Sequence, residues 1–214
     1  MAIARAVATE PEVLILDEST ANLDPVSAAK IEELIRGIIQ QHATTIIMAT
    51  HDMAQGQRLA DRIGVLIDGE FRQTGSPSDI FTSPRNKEVA EFIGIENILD
   101  GVITSSEDKV VIIDIGGKVI EAISDYAAGE AVSACIRPED ITVSLSKIAS
   151  SARNSFSARV IRTVAMGSLS RVEIDCGFPL VCLVTKKSAD ELNLVKDKPV
   201  YATFKATGVH VIKR

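Results

Sequence analysis

Val13-Leu14-Ile15-Leu16-Asp17-Glu18 runs four aliphatic residues straight into two adjacent carboxylates. A short continuous apolar run of this kind reads as a buried parallel strand. The carboxyl end of such a strand is where open α/β sheets gather their ligands. Many buried strands end in an acid, so the stretch alone assigns no chemistry. Its surroundings extend it. Ser19-Thr20-Ala21-Asn22-Leu23-Asp24-Pro25 is a turn leading into a helix, and Thr45-Ile46-Ile47-Met48-Ala49-Thr50 is a second apolar strand that delivers His51-Asp52. A short helix over Met53–Ala60, a strand over Arg62–Ile67 and a hairpin turn at Asp68-Gly69 follow. Pro77 opens a helix through Phe81, and Lys87–Ile93 is a last helix stopped by Gly94. Residues 1–97 therefore read as an α/β region.

From Asn97 the apolar period changes to two. Val110–Ile115, Gly116-Gly117 and Lys118–Ala122 read as a hairpin. Strands are expected at Ser157–Val164, Leu169–Asp175, Leu180–Val184, Val200–Lys205 and Val209–Ile212, with a helix starting after Thr185. Five short strands and one helix over 150–214 suggest a small OB-like barrel. The fold class read from the sequence is α/β, followed by all-β OB-like barrel domains. The expected division is 1–97, 98–149 and 150–214.

The order strand–acid–acid, Asp-Pro turn, helix, strand–Thr-His-Asp resembles the nucleotide-hydrolysing core of ATP-binding-cassette transporters, which implies that the α/β region is an incomplete P-loop NTPase cassette. The resemblance implies that Asp17 helps hold Mg²⁺, usually through water, and that Glu18 activates the attacking water. It implies that His51 is the switch histidine, and that Asp24 is the acid signalling across a two-cassette dimer. Such chemistry suits the residues: Mg²⁺ keeps oxygen ligands and several waters, and phosphoryl transfer is mostly positioning and charge stabilisation. Read without the resemblance, His51 is a strand-end histidine satisfied by a neighbour. The helix over Ala2–Val7 resembles the one that follows the family's signature segment, with Met1 where valine is usual. The 214 residues contain no G-x-x-x-x-G-K-[ST]; their one Gly-Lys step, Gly117-Lys118, continues with Val119. Each missing charge-assisted bond to phosphate costs roughly 1.5–3 kcal/mol. Weak ATP binding and no hydrolysis by this chain alone are expected, as for the C-terminal part of a longer cassette.

Arg137-Pro138-Glu139-Asp140 resembles a segment of the accessory β domain called TOBE, and equally an ordinary turn with an ion pair; no ligand is assigned to it. Ser151-Ala152-Arg153-Asn154, Val184-Thr185-Lys186-Lys187-Ser188 and Phe204-Lys205-Ala206-Thr207 resemble, in that order, the molbindin or Mop domain that binds molybdate and tungstate. Those ions are dianions that only accept hydrogen bonds. A site for them needs hydroxyls, backbone N–H groups and cations. The resemblance points to Ser151, Arg153, Thr185, Lys205 and the backbone at Ala206, with Thr207 weaker. Taken singly, Thr185 is an N-cap and Lys205 a solvated lysine. Molbindins build their sites between copies, so an oligomer is implied. His42 and His210 are read as incidental.

Charge divides the chain. Residues 151–214 hold 11 Lys and Arg against 5 Asp and Glu, while residues 1–150 hold 12 against 24. A basic module within an acidic protein fits an anionic ligand, and a solvated basic face fits it equally well. Cys135, Cys176 and Cys182 form no CxxC pair and read as reduced, buried thiols of a cytosolic protein. No apolar run approaches the roughly 18 residues of a membrane span, and there is no leader pattern. Two readings stand: the ATP-binding subunit of a molybdate or tungstate importer, or a free-standing oxyanion-binding protein with a cassette remnant. The first implies permease subunits, a substrate-binding protein and a second ATPase subunit as partners, no nucleic acid, and a cytoplasmic place on the inner membrane face.

Overall fold

A computed structural model describes residues 2–41 and 44–214, so Met1 and the incidental His42 lie outside the described residues. The chain forms two compact units. One comprises residues 1–64 with 74–78, the other residues 65–73 with 79–214.

In the first unit, α1 (Ala2–Val7), β1 (Val13–Asp17), α2 (Pro25–Gln41), β2 (Thr45–Ala49) and α3 (Met53–Leu59) follow in order. β1 and β2 pair in parallel, from Val13 opposite Thr45 to Asp17 opposite Ala49. Leu14 and Leu16 are buried against Ile35 of α2, with Ile46 and Met48 beside them. The aliphatic run is buried on one side only: Ile15 is 72% exposed, and Val13 and Ile47 share that open face. Parallel strands usually carry cover on both faces. Here α2 supplies one layer, which explains the alternation.

β3 (Ile63–Ile67) and β4 (Glu70–Gly75) form the expected hairpin. Asp68 and Gly69 both have positive φ, 51° and 79°, as a two-residue turn compatible with strand twist requires. α4 (Pro77–Thr82) and α5 (Lys87–Phe92) follow. Residues 79–97, read from sequence with the α/β region, belong to the second unit. The Gln73 amide donates to the carbonyls of Asp79 and Ser83 and accepts from Arg85 N–H. Ala90 of α5 packs with Cys135 and Ile212.

The rest of the second unit is two curled antiparallel sheets. β5 (Asn97–Glu107), β6 (Val110–Asp114), β7 (Val119–Ile123), β8 (Ala131–Ile136) and β9 (Thr142–Ser144) are followed by β10 (Asn154–Met166), β11 (Leu169–Asp175) and β12 (Pro179–Thr185). Then come α6 (Lys186–Glu191), β13 (Pro199–Phe204) and β14 (Val209–Lys213). The sheet orders are β14-β8-β5-β6-β7 and β12-β11-β10-β13-β9. Each half of the unit thus gives its last strand to the other half's sheet: β14 pairs with β8, and β9 with β13. The five strands of 150–214 do not close on themselves as the sequence suggested.

The halves match in detail. Each long strand starts with a buried asparagine and breaks register about seven residues later, between Ile103 and Ser105 and between Val160 and Arg162. Each asparagine clamps a strand of the opposite half. Asn97 bonds Val181 N and O at 2.6 and 2.8 Å, and Asn154 bonds Glu121 N and O at 2.8 and 2.9 Å. One core runs between the sheets, with Ile113, Ile120, Ile136, Ile174, Leu180 and Phe204 within it. The three cysteines are free and buried, and burial pushes each thiol up to about 12. Such thiols stay protonated and inert near neutral pH. Among the described residues no helix is long and apolar enough to cross a membrane.

Candidate functional sites

The carboxyl ends of β1 and β2 bring Glu18 and His51 together. Asp17 is the last residue of β1, opposite Ala49, and Glu18 N–H donates to Ala49 O at 3.0 Å. Glu18 then turns with φ 47°, a region that non-glycine residues occupy at a cost and often near functional sites. His51 Nδ1 lies 2.8 Å from both carboxylate oxygens of Glu18. A carboxylate only accepts, so Nδ1 carries the proton and Nε2 is left for another partner. The Glu18 carboxylate raises the His51 pKa above its ordinary 6.5, by hydrogen bonding first and by charge second.

A histidine whose pKa is raised by folding adds its stability fully below its unfolded pKa, provided Glu18 is ionised, and loses it as pH rises through the folded value. We expect NMR titration of His51 to show a raised pKa that returns towards 6.5 in Glu18→Gln. An unchanged pKa in that variant would refute the contact.

Other sequence candidates take structural positions. Asp24 caps α2, accepting from Val26 N, Ser27 N and Ser27 Oγ at 3.0, 3.0 and 2.6 Å. Those bonds, that of the Ser27 hydroxyl first, hold its carboxyl below the usual range. Asp52 caps α3 by accepting from Gln55 N.

A cleft of about 520 Å³ lies beside Glu18 and His51, with Glu32, Asp52 and Arg58 among its walls. Its arginine is taken, since Glu32 accepts from Arg58 at 2.8 and 3.3 Å. Gly117-Lys118 lies in the β6–β7 turn, where Asp114 Oδ1 accepts from Gly116 N and Gly117 N. Among the described residues no three His, Cys, Asp or Glu side chains converge on a metal position. Acid-lined and without a phosphate cradle, the residues present do not fit ATP with Mg²⁺ on their own.

The oxyanion candidates lie at two ends of the second unit's sheet. Asn154 pairs with Phe204, so Arg153, just before β10, and Lys205, just after β13, flank the same end of the sheet. Ser151 precedes the one and Ala206 follows the other, in a 3-10 turn over Ala206–Gly208. Arg153 is 71% exposed and meets Glu121 at 3.2 Å. Thr185 ends β12 opposite Leu169, which pairs with Met166 at the far end of β10. A strand advances about 3.3 Å per residue, so one chain does not unite Thr185 with Arg153. Thr185 caps α6, accepting from Ser188 N at 3.0 Å. His210 Nε2 lies 2.9 Å from Pro84 O, a contact between segments and no part of either site.

Sequence reading missed Glu121 and the second role of Asn154. Two strand-heading asparagines, each followed about seven residues later by a bulge, were the available signal of an internal repeat. Nothing in the sequence linked position 121 to 153.

The two sheets, with exchanged last strands and a basic end at Arg153 and Lys205, define an OB-like accessory domain. A family model described as the TOBE domain matches residues 150–211. The molybdate/tungstate import ATP-binding protein WtpC of Pyrococcus horikoshii is 35% identical over 212 residues, 99% of this chain and 59% of that protein. The spermidine/putrescine import ATP-binding protein PotA of Mycoplasmopsis synoviae is 29% identical over 214 residues, 100% of this chain and 45% of that protein. The molybdate-bound crystal structure of the cytoplasmic molybdate-binding protein ModG covers 55% of this chain and 96% of its own, with TM-score 0.51 and 23% identity, a likeness of fold. The chain has a TOBE domain at its C-terminal end and is homologous to the ATP-binding subunits of ABC-type importers. It spans about three-fifths of the length of the WtpC relatives that it matches from end to end.

Proposed function

We propose that this protein binds a tetrahedral oxyanion, molybdate or tungstate, through its C-terminal β unit. It acts as a regulatory or storage protein for that ion, and its α/β region is a cassette remnant. The observation that carries this reading is that Arg153 and Lys205 flank the paired Asn154–Phe204 end of the sheet. Ser151 and the Ala206 backbone add donors there. Thr185, at the other sheet end, joins the set when a second copy presents it. Functionally the chain divides at 97/98 and 149/150, with the strand exchange tying the last two parts together.

Calorimetry on the full chain tests the reading. Molybdate and tungstate are expected to bind and spermidine to be inert, because a polycation has nothing to recover from Arg153 and Lys205. Sulfate is the smaller control. Spermidine binding with no oxyanion binding would overturn the proposal.

The Glu18–His51 contact favours a second reading. In it the chain belongs to the ATP-binding machinery of an importer, with permease subunits, a substrate-binding protein and a second ATPase subunit, on the inner membrane face. Its mark would be Mg-ATP turnover, abolished by Glu18→Gln, that arises only when the chain is supplied with the phosphate-binding half of a cassette.

A further inference from the structure

Arg153, the cation on which the proposed oxyanion site depends, already faces an anion. Its Nε lies 3.2 Å from Glu121 Oε2. Glu121 is fixed in place: its N–H donates to Asn154 Oδ1 and its carbonyl accepts from Asn154 Nδ2, and it stands mid-strand in β7 opposite Ile112. Two consecutive residues therefore grip one residue of the other half. Asn154 takes the backbone and Arg153 meets the carboxylate.

The other half shows which part of this grip is structural. Asn97 clamps Val181 in the same way, and the residue held there is aliphatic. The clamp needs no acid at the held position. The residue before Asn97 is Glu96, and its cationic partner is Arg171. That guanidinium is 25% exposed and closed from two sides by Glu96 and Glu173. Arg153 is 71% exposed, and Glu121 is its one ion-pair partner among the described residues. Of these two arginines, Arg153 is the one open to a ligand, and it carries a single carboxylate that strand pairing does not require.

We propose that Glu121 is a resident counter-anion that competes with the incoming oxyanion for Arg153 and so sets the concentration at which the site fills. The proposal rests on the oxyanion reading of Arg153. An exposed ion pair is weak, so a dianion can take the guanidinium. It must then displace the Glu121 carboxylate or sit a few ångströms from it, because Asn154 holds the Glu121 backbone in place. In either case Glu121 opposes binding, and it opposes a dianion more than a monoanion. A site tuned in this way stays empty at low oxyanion levels and responds at higher ones, as a regulator requires.

Titration of sodium molybdate into the full chain tests this with wild type, Glu121→Gln, Glu121→Ala and the double variant Glu121→Gln/Arg153→Ala. Glutamine keeps the size and the backbone clamp while removing the charge. Glu121→Gln should bind molybdate about three- to tenfold more tightly, the effect of removing one charge near a dianion in a largely solvated setting. Glu121→Ala should move in the same direction, and the double variant should lose the gain. Molybdate binding by Glu121→Gln where wild type shows none also supports the proposal. Unchanged or weaker binding by both single variants, with wild type binding normally, overturns it and makes Glu121 a residue that orients Arg153; the oxyanion reading then survives. Absence of molybdate binding by wild type and by both single variants overturns the proposal and that reading together.

Discussion

Replacing Arg153 with alanine should weaken oxyanion binding by about 30- to 1000-fold, equivalent to about 2–4 kcal/mol. The substitution removes a full charge and a set of directed N–H donors at once, and a dianion offers only acceptors. Structure narrows the alternatives. Arg171 is locked between Glu96 and Glu173, and Arg162 is paired with Glu173 at 2.7 Å, so neither takes over. The Arg153 side chain is 71% exposed and that of its partner Glu121 is 30% exposed, so stability should change little. Calorimetry with molybdate reads the affinity, and a thermal melt shows that the fold is intact. His210→Ala should leave affinity unchanged, because its ring is engaged by Pro84 O. Equal affinity in wild type and Arg153→Ala would place the ligand elsewhere.

Local structure was largely legible in the sequence, and long-range pairing was not. β11 was expected over Leu169–Asp175 and lies there. The Asp68-Gly69 and Gly116-Gly117 turns were readable because their backbones need positive φ and glycine supplies it at no steric cost. The exposed face of β1 was misread, because a continuous aliphatic run signals two covered faces and cannot report which cover is present. Strand exchange was invisible for a related reason. Val209-His210-Val211-Ile212 alternates as any half-buried strand does, and alternation fixes a face without naming a neighbour. For the site, residue types were readable from motif order, while the contact of Glu18 with His51 required the parallel pairing of β1 with β2. Placing Thr185 far from Arg153 required the register of β10 with both of its partners. Glu121 required the Asn154 clamp, which joins residues 33 positions apart.

Strand exchange carries the largest expected effect on stability. Removing residues 209–214 should abolish the cooperative melt of the whole β unit, although those residues are remote in sequence from the sheet they complete. β14 pairs with β8 from Val209 opposite Ile136 to Lys213 opposite Val132. Val209, Val211 and Ile212 are buried, the first two in the shared core and the third against Ala90 and Cys135. Burying three such side chains contributes about 5–9 kcal/mol. The orphaned N–H and C=O groups of β8 add about 1 kcal/mol each where water cannot reach them. The total rivals the roughly 5–15 kcal/mol that holds a typical domain folded. Deleting Arg214 alone should cost little, since its side chain is half exposed and lies 3.9 Å from Asp100. Thermal melts of the full chain and of residues 1–208, followed by near-ultraviolet circular dichroism, provide the comparison. A 1–208 chain melting within a few degrees of the full chain would refute the role given to β14. The same exchange makes residues 150–214 a poor fragment, because excision strips β9 from β13 and leaves β14 without β8. It also couples folding to the site. The 3-10 turn over Ala206–Gly208 sits between β13 in one sheet and β14 in the other, so Lys205 and Ala206 hold their places only while both sheets are formed. An oxyanion bound there should therefore raise the melting temperature of the entire β unit, by about 2.7 kcal/mol of stability at a hundred times its Kd.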